Sequence, residues 1–213
     1  MRLRVAAVCA VALLGADARA QSALVTIDRI VARVDSEIVQ SLDLRQARLL
    51  KLFGADVTTD DAVLEHLIDR RLELSDAARY PMPEPSPADV ASRRQRWVAS
   101  LVAPGGPAVN LPALLADAGM TDTALSGWFR DDARIETLEN QRFTSAPATR
   151  DELLTYVRDH AASFAQPGGR PADVDDPAVQ TKARAEIASV KRASAVAGWI
   201  DSLRKRAQIE VIR

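Results

Sequence analysis

Residues 27–44 predict a short β-hairpin that runs directly into a helix, and this order restricts the fold more than any other segment. Every second residue in the range 30–34 is apolar, which is the period of a half-buried strand. Asp35-Ser36 supplies turn chemistry, and residues 37–40 return as a second strand. Ser41 then suits the N-cap position of a helix. We therefore expect the folded chain to open with a β element that passes straight into a helix.

The other end of the chain carries a further strand signal. Apolar residues alternate again from Gln208 to Ile212, and Ile209 and Val211 are available for pairing. We expect this strand to lie beside the N-terminal hairpin, so that the two ends of the chain join in one sheet.

The residues between these strands are predicted to be helical, with breaks at proline and glycine. The predicted helices span residues 60–79, 87–102, 111–118, 150–164 and 178–207, and another begins at Thr121 or Asp122. Two starts carry cap signals, Ser86 followed by Pro87 and Thr149 followed three residues later by Glu152. The pattern predicts a mainly α fold with a small β element made of the N-terminal hairpin and the C-terminal strand.

The last predicted helix is unusually long. At about 1.5 Å per residue, the segment 178–207 would extend roughly 45 Å. Its apolar residues form a set that is too broad for one flat contact. These residues are Ile187, Val190, Val196, Trp199, Ile200 and Leu203. We expect several helices to pack around this one, so that it forms the centre of the core.

An export signal is predicted at residues 1–20. Two early arginines precede an apolar run from Val5 to Leu14, and Ala18-Arg19-Ala20 is a small-x-small cleavage site. A helix needs about 20 apolar residues to span a bilayer, so this shorter run is not expected to be a permanent anchor. The only cysteine, Cys9, would leave with the signal, so no disulfide is expected. We therefore expect the mature protein in the periplasm.

Four segments resemble the SurA/PrsA-type periplasmic chaperones, the SurA N-terminal domain family, and they occur in the family's order. Residues 34–44 resemble the strand, turn and Ile-Thr-x-Ser-Asp-Leu segment that open those chaperones. Residues 62–72 are similar to the family's Leu-Ile-x-x-x-Leu second helix, and residues 119–135 to its Gly-Leu/Met-Thr helix. Residues 199–211 resemble its closing Trp-Ile-x-x-Leu-Arg-x-x-Ala-x-Ile segment. The resemblance covers most of the chain after the signal.

The resemblance implies a multi-helix chaperone core that binds unfolded exported or outer-membrane polypeptides without ATP. It also implies a domain organisation, in which residues 21–146 form the N-terminal chaperone region and residues 178–213 complete the core. Family members usually carry a parvulin prolyl-isomerase domain between these parts. Here residues 147–177 supply only a helix and a loop, too short for a domain of roughly 100 residues. We therefore expect a chaperone without isomerase activity.

Catalysis is not expected from the side chains present. The two histidines, His66 and His160, lie far apart and are each flanked by charged residues, which favours surface or cap positions. The sequence has no metal-ligand spacing, no Gly-x-Ser-x-Gly turn and no Gly-rich phosphate loop. We predict no enzyme activity, no metal and no cofactor.

Nucleic acid is not an expected partner either. Residues 93–97 and 204–206 are locally basic, and phosphate binding depends on concentrated positive charge. The formal net charge of the chain is −1 at pH 7, however, and no nucleic-acid-binding motif is present. Arginine and lysine in a last helical turn are also explained by the helix dipole.

Candidate contacts for unfolded clients are large apolar or adaptable side chains. They are Trp97, Trp128, Phe129, Met82 and Met120. The alternative is that these residues belong to the core, since aromatic residues at helical spacing usually pack inside. Two other functions remain open, a scaffold with one dedicated periplasmic partner and a divergent prolyl isomerase. The long last helix could also exchange between two copies of the chain and form a homodimer.

Overall fold

The computed structural model of the protein describes residues 28–102, 105–144, 146–165 and 172–212. The predicted export signal lies outside these ranges, and so do residues 166–171 of the loop that precedes the last helix. Within them the chain is mainly helical and carries one small antiparallel sheet, which confirms the predicted fold class.

The elements follow one another in the order β1 (Ile30–Val34), β2 (Glu37–Gln40), α1 (Ser41–Leu49), α2 (Asp60–Ala77), α3 (Pro87–Leu101), α4 (Leu111–Ala118), α5 (Asp122–Arg142), α6 (Arg150–Asp159), α7 (Ala161–Phe164), α8 (Pro177–Arg204) and β3 (Ile209–Val211).

The sheet joins the two ends of the described chain, as predicted. Its strand order is β2-β1-β3, and both pairings are antiparallel. Val34 lies opposite Ile209 in the register of β1 and β3. The hairpin turn is held to the residue before β3, because the Asp35 N–H donates to the Gln208 carbonyl and the Gln208 N–H donates to Asp35 Oδ1, each at 2.8 Å. Asp35 has a φ of 53°, a left-handed conformation that aspartate tolerates in turns.

The start of α1 differs from the prediction. Gln40, not Ser41, occupies the N-cap position, and its N–H donates to Asp43 Oδ2 at 3.0 Å. Ser41 is the first helical residue, and its hydroxyl donates to Asp28 Oδ1 at 2.6 Å. The same Asp28 oxygen accepts the Leu42 N–H at 3.0 Å. A carboxylate that precedes β1 therefore accepts a backbone N–H that would otherwise lack a partner at the start of α1, because the hairpin folds this carboxylate back onto the helix.

The caps predicted for α3 and α6 are confirmed. Ser86 accepts the Asp89 N–H, and Pro87 is the first helical residue of α3. The predicted helix 150–164, in contrast, is two helices, because His160 leaves helical geometry with φ −115° and ψ 31°. Its ring Nδ1 lies 2.9 Å from the Tyr156 carbonyl oxygen, one of the carbonyl groups at the C-terminal end of α6, and is within hydrogen-bonding distance of it.

Three clusters of buried apolar side chains form the interior. The main core combines the sheet, α1, α2 and the end of α8, the second combines α3, α4 and α5, and the third combines α6, α7 and the first half of α8. Representative members are Val39, Leu67 and Trp199 in the main core, Leu115, Leu125 and Phe129 in the second, and Leu153, Val157 and Ile187 in the third.

The centre of the fold is α2 and not α8, so that prediction was wrong. Helix α2 contacts α1, α5, α8 and the first two strands. Helix α8 instead belongs to two cores in succession, with Ile187 in the third and Trp199 in the main one. Between them Val190 is 57% exposed. The apolar pattern of α8 is broad because the first half of the helix packs in the third core and its end packs in the main core.

Candidate functional site

The predicted client contacts lie mostly inside the second core. Trp97 and Phe129 are only 8% and 4% exposed, and their ring centroids are 5.6 Å apart. The Trp97 Nε1–H donates to the Leu50 carbonyl at 2.9 Å. Met120 is buried in the same cluster. These three side chains therefore present little surface to a partner in this conformation.

The other two predicted contacts are partly buried. Trp128 lies beneath the Arg70 guanidinium, 3.8 Å from its ring centroid, and meets Phe53 edge-on at 5.5 Å. Met82 packs against the main core. Met82 and Trp128 pack against the main core, whereas Trp97, Phe129 and Met120 are buried in the second, so the structure does not bring all five into one groove.

An apolar groove lies elsewhere, between α6 and α8. It encloses about 420 Å³, and its floor is formed by Tyr156, Ile187 and Val190. Charged side chains line its edges: Asp151, Glu152, Asp159 and Lys191. The groove thus offers an apolar strip bounded by ionised groups.

Helical spacing positions the floor of the groove. Leu153 on α6 and Ile187 on α8 face the third core, and the residues one turn further along, Tyr156 and Val190, lie beside that contact at the surface. The Tyr156 ring stacks on His160 with centroids 4.0 Å apart and meets Phe164 edge-on at 6.1 Å. The break at His160 therefore helps to fix the orientation of the tyrosine.

Ion pairs and hydrogen bonds order the edges of the groove. Lys191 contacts Glu152 at 2.6 Å across the two helices, and this hydrogen bond lowers the pKa of the Glu152 carboxyl. The Thr149 N–H, at 2.9 Å from Glu152 Oε2, lowers that pKa further. Removal from water raises the pKa of Tyr156, and the Glu186 carboxylate adds to this effect. The lowered pKa keeps the Glu152 carboxyl ionised near pH 7, and the raised pKa keeps the Tyr156 phenol neutral.

A second candidate site is a charged cleft of about 580 Å³ between α2, α5 and α8. Four ion pairs cross it or line it: Arg70 with Asp132, Arg93 with Glu136, Arg192 with Glu139, and Arg204 with Asp69. Each pair joins two helices, so the charges are accounted for by contacts within the protein.

Glu73 is the exception in this cleft, because its carboxylate has no ion pair among the described residues. Burial, the main cause, together with the neighbouring carboxylates of Glu139 and Asp69, raises its pKa to about 7. Such a group can exchange a proton near neutral pH. Sequence reasoning missed it, since its burial depends on residues of α5 and α8 that are far away along the chain.

No group of three or more His, Cys, Asp or Glu side chains in the described ranges is arranged to hold a metal ion. None of the helices described is both long enough and apolar enough to cross a membrane.

Comparison with protein-family models and with curated proteins finds no match for this chain. The similarity of residues 34–44, 62–72, 119–135 and 199–211 to the SurA/PrsA group therefore stays a prediction from the sequence.

Proposed function

We propose that this protein is a periplasmic chaperone of SurA type that binds unfolded exported or outer-membrane polypeptides without ATP and without isomerase activity. The apolar groove between α6 and α8 is the observation that carries this proposal. Unfolded chains are bound through exposed apolar surface, and Val190 has the highest exposure of the large apolar side chains in the described ranges.

Two other observations support the proposal. The sheet pairs β1 with β3, so the segments that resemble the opening and the closing parts of the chaperone family belong to one core. Residues 165–176, which separate α7 from α8, are too few for a parvulin domain of roughly 100 residues.

The test is an aggregation assay without nucleotide. An outer-membrane protein unfolded in urea is diluted into buffer with or without the purified protein, and light scattering is followed. We expect the scattering to fall as the protein approaches and exceeds the client concentration. A prolyl-isomerase assay on the same sample should give only the uncatalysed rate, with a relaxation time of tens to hundreds of seconds.

Unchanged scattering at a molar excess of the protein would contradict the chaperone proposal. It would favour a scaffold with one dedicated partner, for which general protection of unfolded chains is not expected. Accelerated isomerisation would instead favour the divergent prolyl isomerase.

A further inference from the structure

The charges around the groove between α6 and α8 are unequal. Three carboxylates line it, Asp151, Glu152 and Asp159, against one ammonium group, Lys191. Lys191 is already paired with Glu152 at 2.6 Å. The groove is therefore acidic on balance.

The two remaining carboxylates are accessible to a partner. Within the described ranges, the one ion pair of Asp159 is with its exposed neighbour Arg158, at 3.0 Å, and both side chains are more than half exposed. Asp151 has no ion pair among the described residues and is exposed in the first turn of α6. A cation that reaches either carboxylate would not have to break a buried ion pair.

These carboxylates lie along one side of an apolar floor. Asp151 and Asp159 are eight positions apart on α6, which is about 12 Å along a helix. The side chains of Tyr156 and Val190 lie in the same groove. The arrangement is complementary to a segment with apolar side chains in the middle and positive charges at both ends.

We propose that the groove binds polypeptide segments whose apolar residues are flanked by lysine or arginine. The apolar side chains lie on Tyr156, Ile187 and Val190, and the flanking cations lie near Asp151 and Asp159. This inference rests on the proposed chaperone function and gives its preferred client chemistry. Each exposed ion pair strengthens binding a few-fold, so two pairs give about tenfold selectivity over acidic flanks.

Fluorescence anisotropy with labelled peptides of equal length tests the inference. One peptide has leucine and valine between terminal lysines, the second has the same centre between glutamates, and the third has lysines around serine and glycine. We expect the first to bind about tenfold more tightly than the second at low salt. The difference should shrink as salt is added, and the third peptide should bind least.

Two pairs of variants locate the binding site. Val190→Ser should weaken binding of the lysine-flanked peptide several-fold, whereas Leu154→Ser, at a residue 43% exposed outside the groove, should not. Asp159→Lys should remove most of the preference for cationic flanks. Its control is Asp117→Lys, an exposed aspartate near the end of α4 with no ion pair in the described ranges. Circular dichroism and melting curves establish that each variant is folded.

Equal affinity for the lysine- and glutamate-flanked peptides would overturn the inference, and so would unchanged binding by the folded Val190→Ser variant. Loss of peptide binding in a folded Val211→Ser variant would also overturn it, because Val211, in β3, lines a different cleft and lies outside the groove between α6 and α8. If aggregation is still suppressed in any of these cases, the chaperone proposal stands and only the assignment of the groove fails. Failure of suppression by the unaltered protein is instead a failure of the proposed function.

Discussion

Replacing Glu73 by glutamine should make the protein more stable above neutral pH and leave its stability nearly unchanged in acid. The folded state binds a proton at Glu73 more tightly than the unfolded state, because burial and then the Glu139 and Asp69 carboxylates raise its pKa from 4.5 to about 7. The stability gained from this proton is fully present below pH 4.5 and is lost as the pH rises through about 7. Glutamine has the same shape but never acquires the charge.

The size of the effect follows from linkage. Each tenfold change in proton affinity corresponds to about 1.4 kcal/mol, so the rise in the pKa of Glu73 removes roughly 3 kcal/mol of unfolding free energy between acid and neutral pH. Above pH 7 the Glu73→Gln variant should exceed the unaltered protein by an amount of this order. Below pH 4.5 the two should agree within about 0.5 kcal/mol.

Urea unfolding at a series of pH values, followed by circular dichroism, measures this difference. The informative quantity is the difference in unfolding free energy between the variant and the unaltered protein at each pH, because contributions common to both proteins cancel. Glu84→Gln, at an exposed glutamate in the proline-rich segment before α3, is the matched control and should give no such trend. Parallel curves for Glu73→Gln and the unaltered protein would refute the reasoning, as would a variant that is less stable above pH 7.

Substitutions at four other positions test contacts that hold the fold, each by urea unfolding at constant pH. Asp28→Ala should lower the unfolding free energy by about 1 kcal/mol, because the Leu42 N–H and the Ser41 hydroxyl in the first turn of α1 lose their acceptor, and no loss would show that water replaces the carboxylate. Asp76→Ala should cost about 2 kcal/mol, since the buried Trp199 Nε1–H loses its acceptor at 3.1 Å; a cost below about 0.5 kcal/mol would contradict this. Gly119→Ala should cost about 1 kcal/mol because its φ is +65°, whereas Gly127→Ala, with open space in α5, should gain up to about 1 kcal/mol. Equal signs for the two glycines would contradict the backbone explanation.

The parts of the fold that depend on neighbours in the chain were predictable. Ser86 and Pro87 start α3, and Thr149 with Glu152 starts α6, because a cap involves residues three positions apart. The pairing of the C-terminal strand with the hairpin was also predictable, since both segments alternate and lie at opposite ends of the chain. The cause of each cap lies within a few residues of sequence, and each of the two strands carries its own alternation, although their pairing joins opposite ends of the chain.

Side-chain contacts between distant residues were not predictable. Asp28 accepts hydrogen bonds from Ser41 and Leu42 at the start of α1 only because the hairpin returns it to that helix. In the sequence, Glu73 is indistinguishable from the other charged residues of a helix, because its burial depends on α5 and α8. The broad apolar pattern of α8 was the one indication of the groove in the sequence. That pattern does not predict which of its residues, such as Val190, remains exposed.

The position of α8 across two cores has a consequence for the order in which the protein loses structure. The third core contains few buried side chains, Leu153, Val157, Phe164, Ala183 and Ile187, so it should open with a smaller free energy than the main core. Backbone amides of α6 and of residues 180–190 are then expected to exchange with solvent deuterium before those near Trp199. A low concentration of denaturant would unfold the third core, and with it the groove, while the two ends of the chain stay paired in the sheet. Loss of peptide binding and loss of the global fold would then be separate transitions in one molecule.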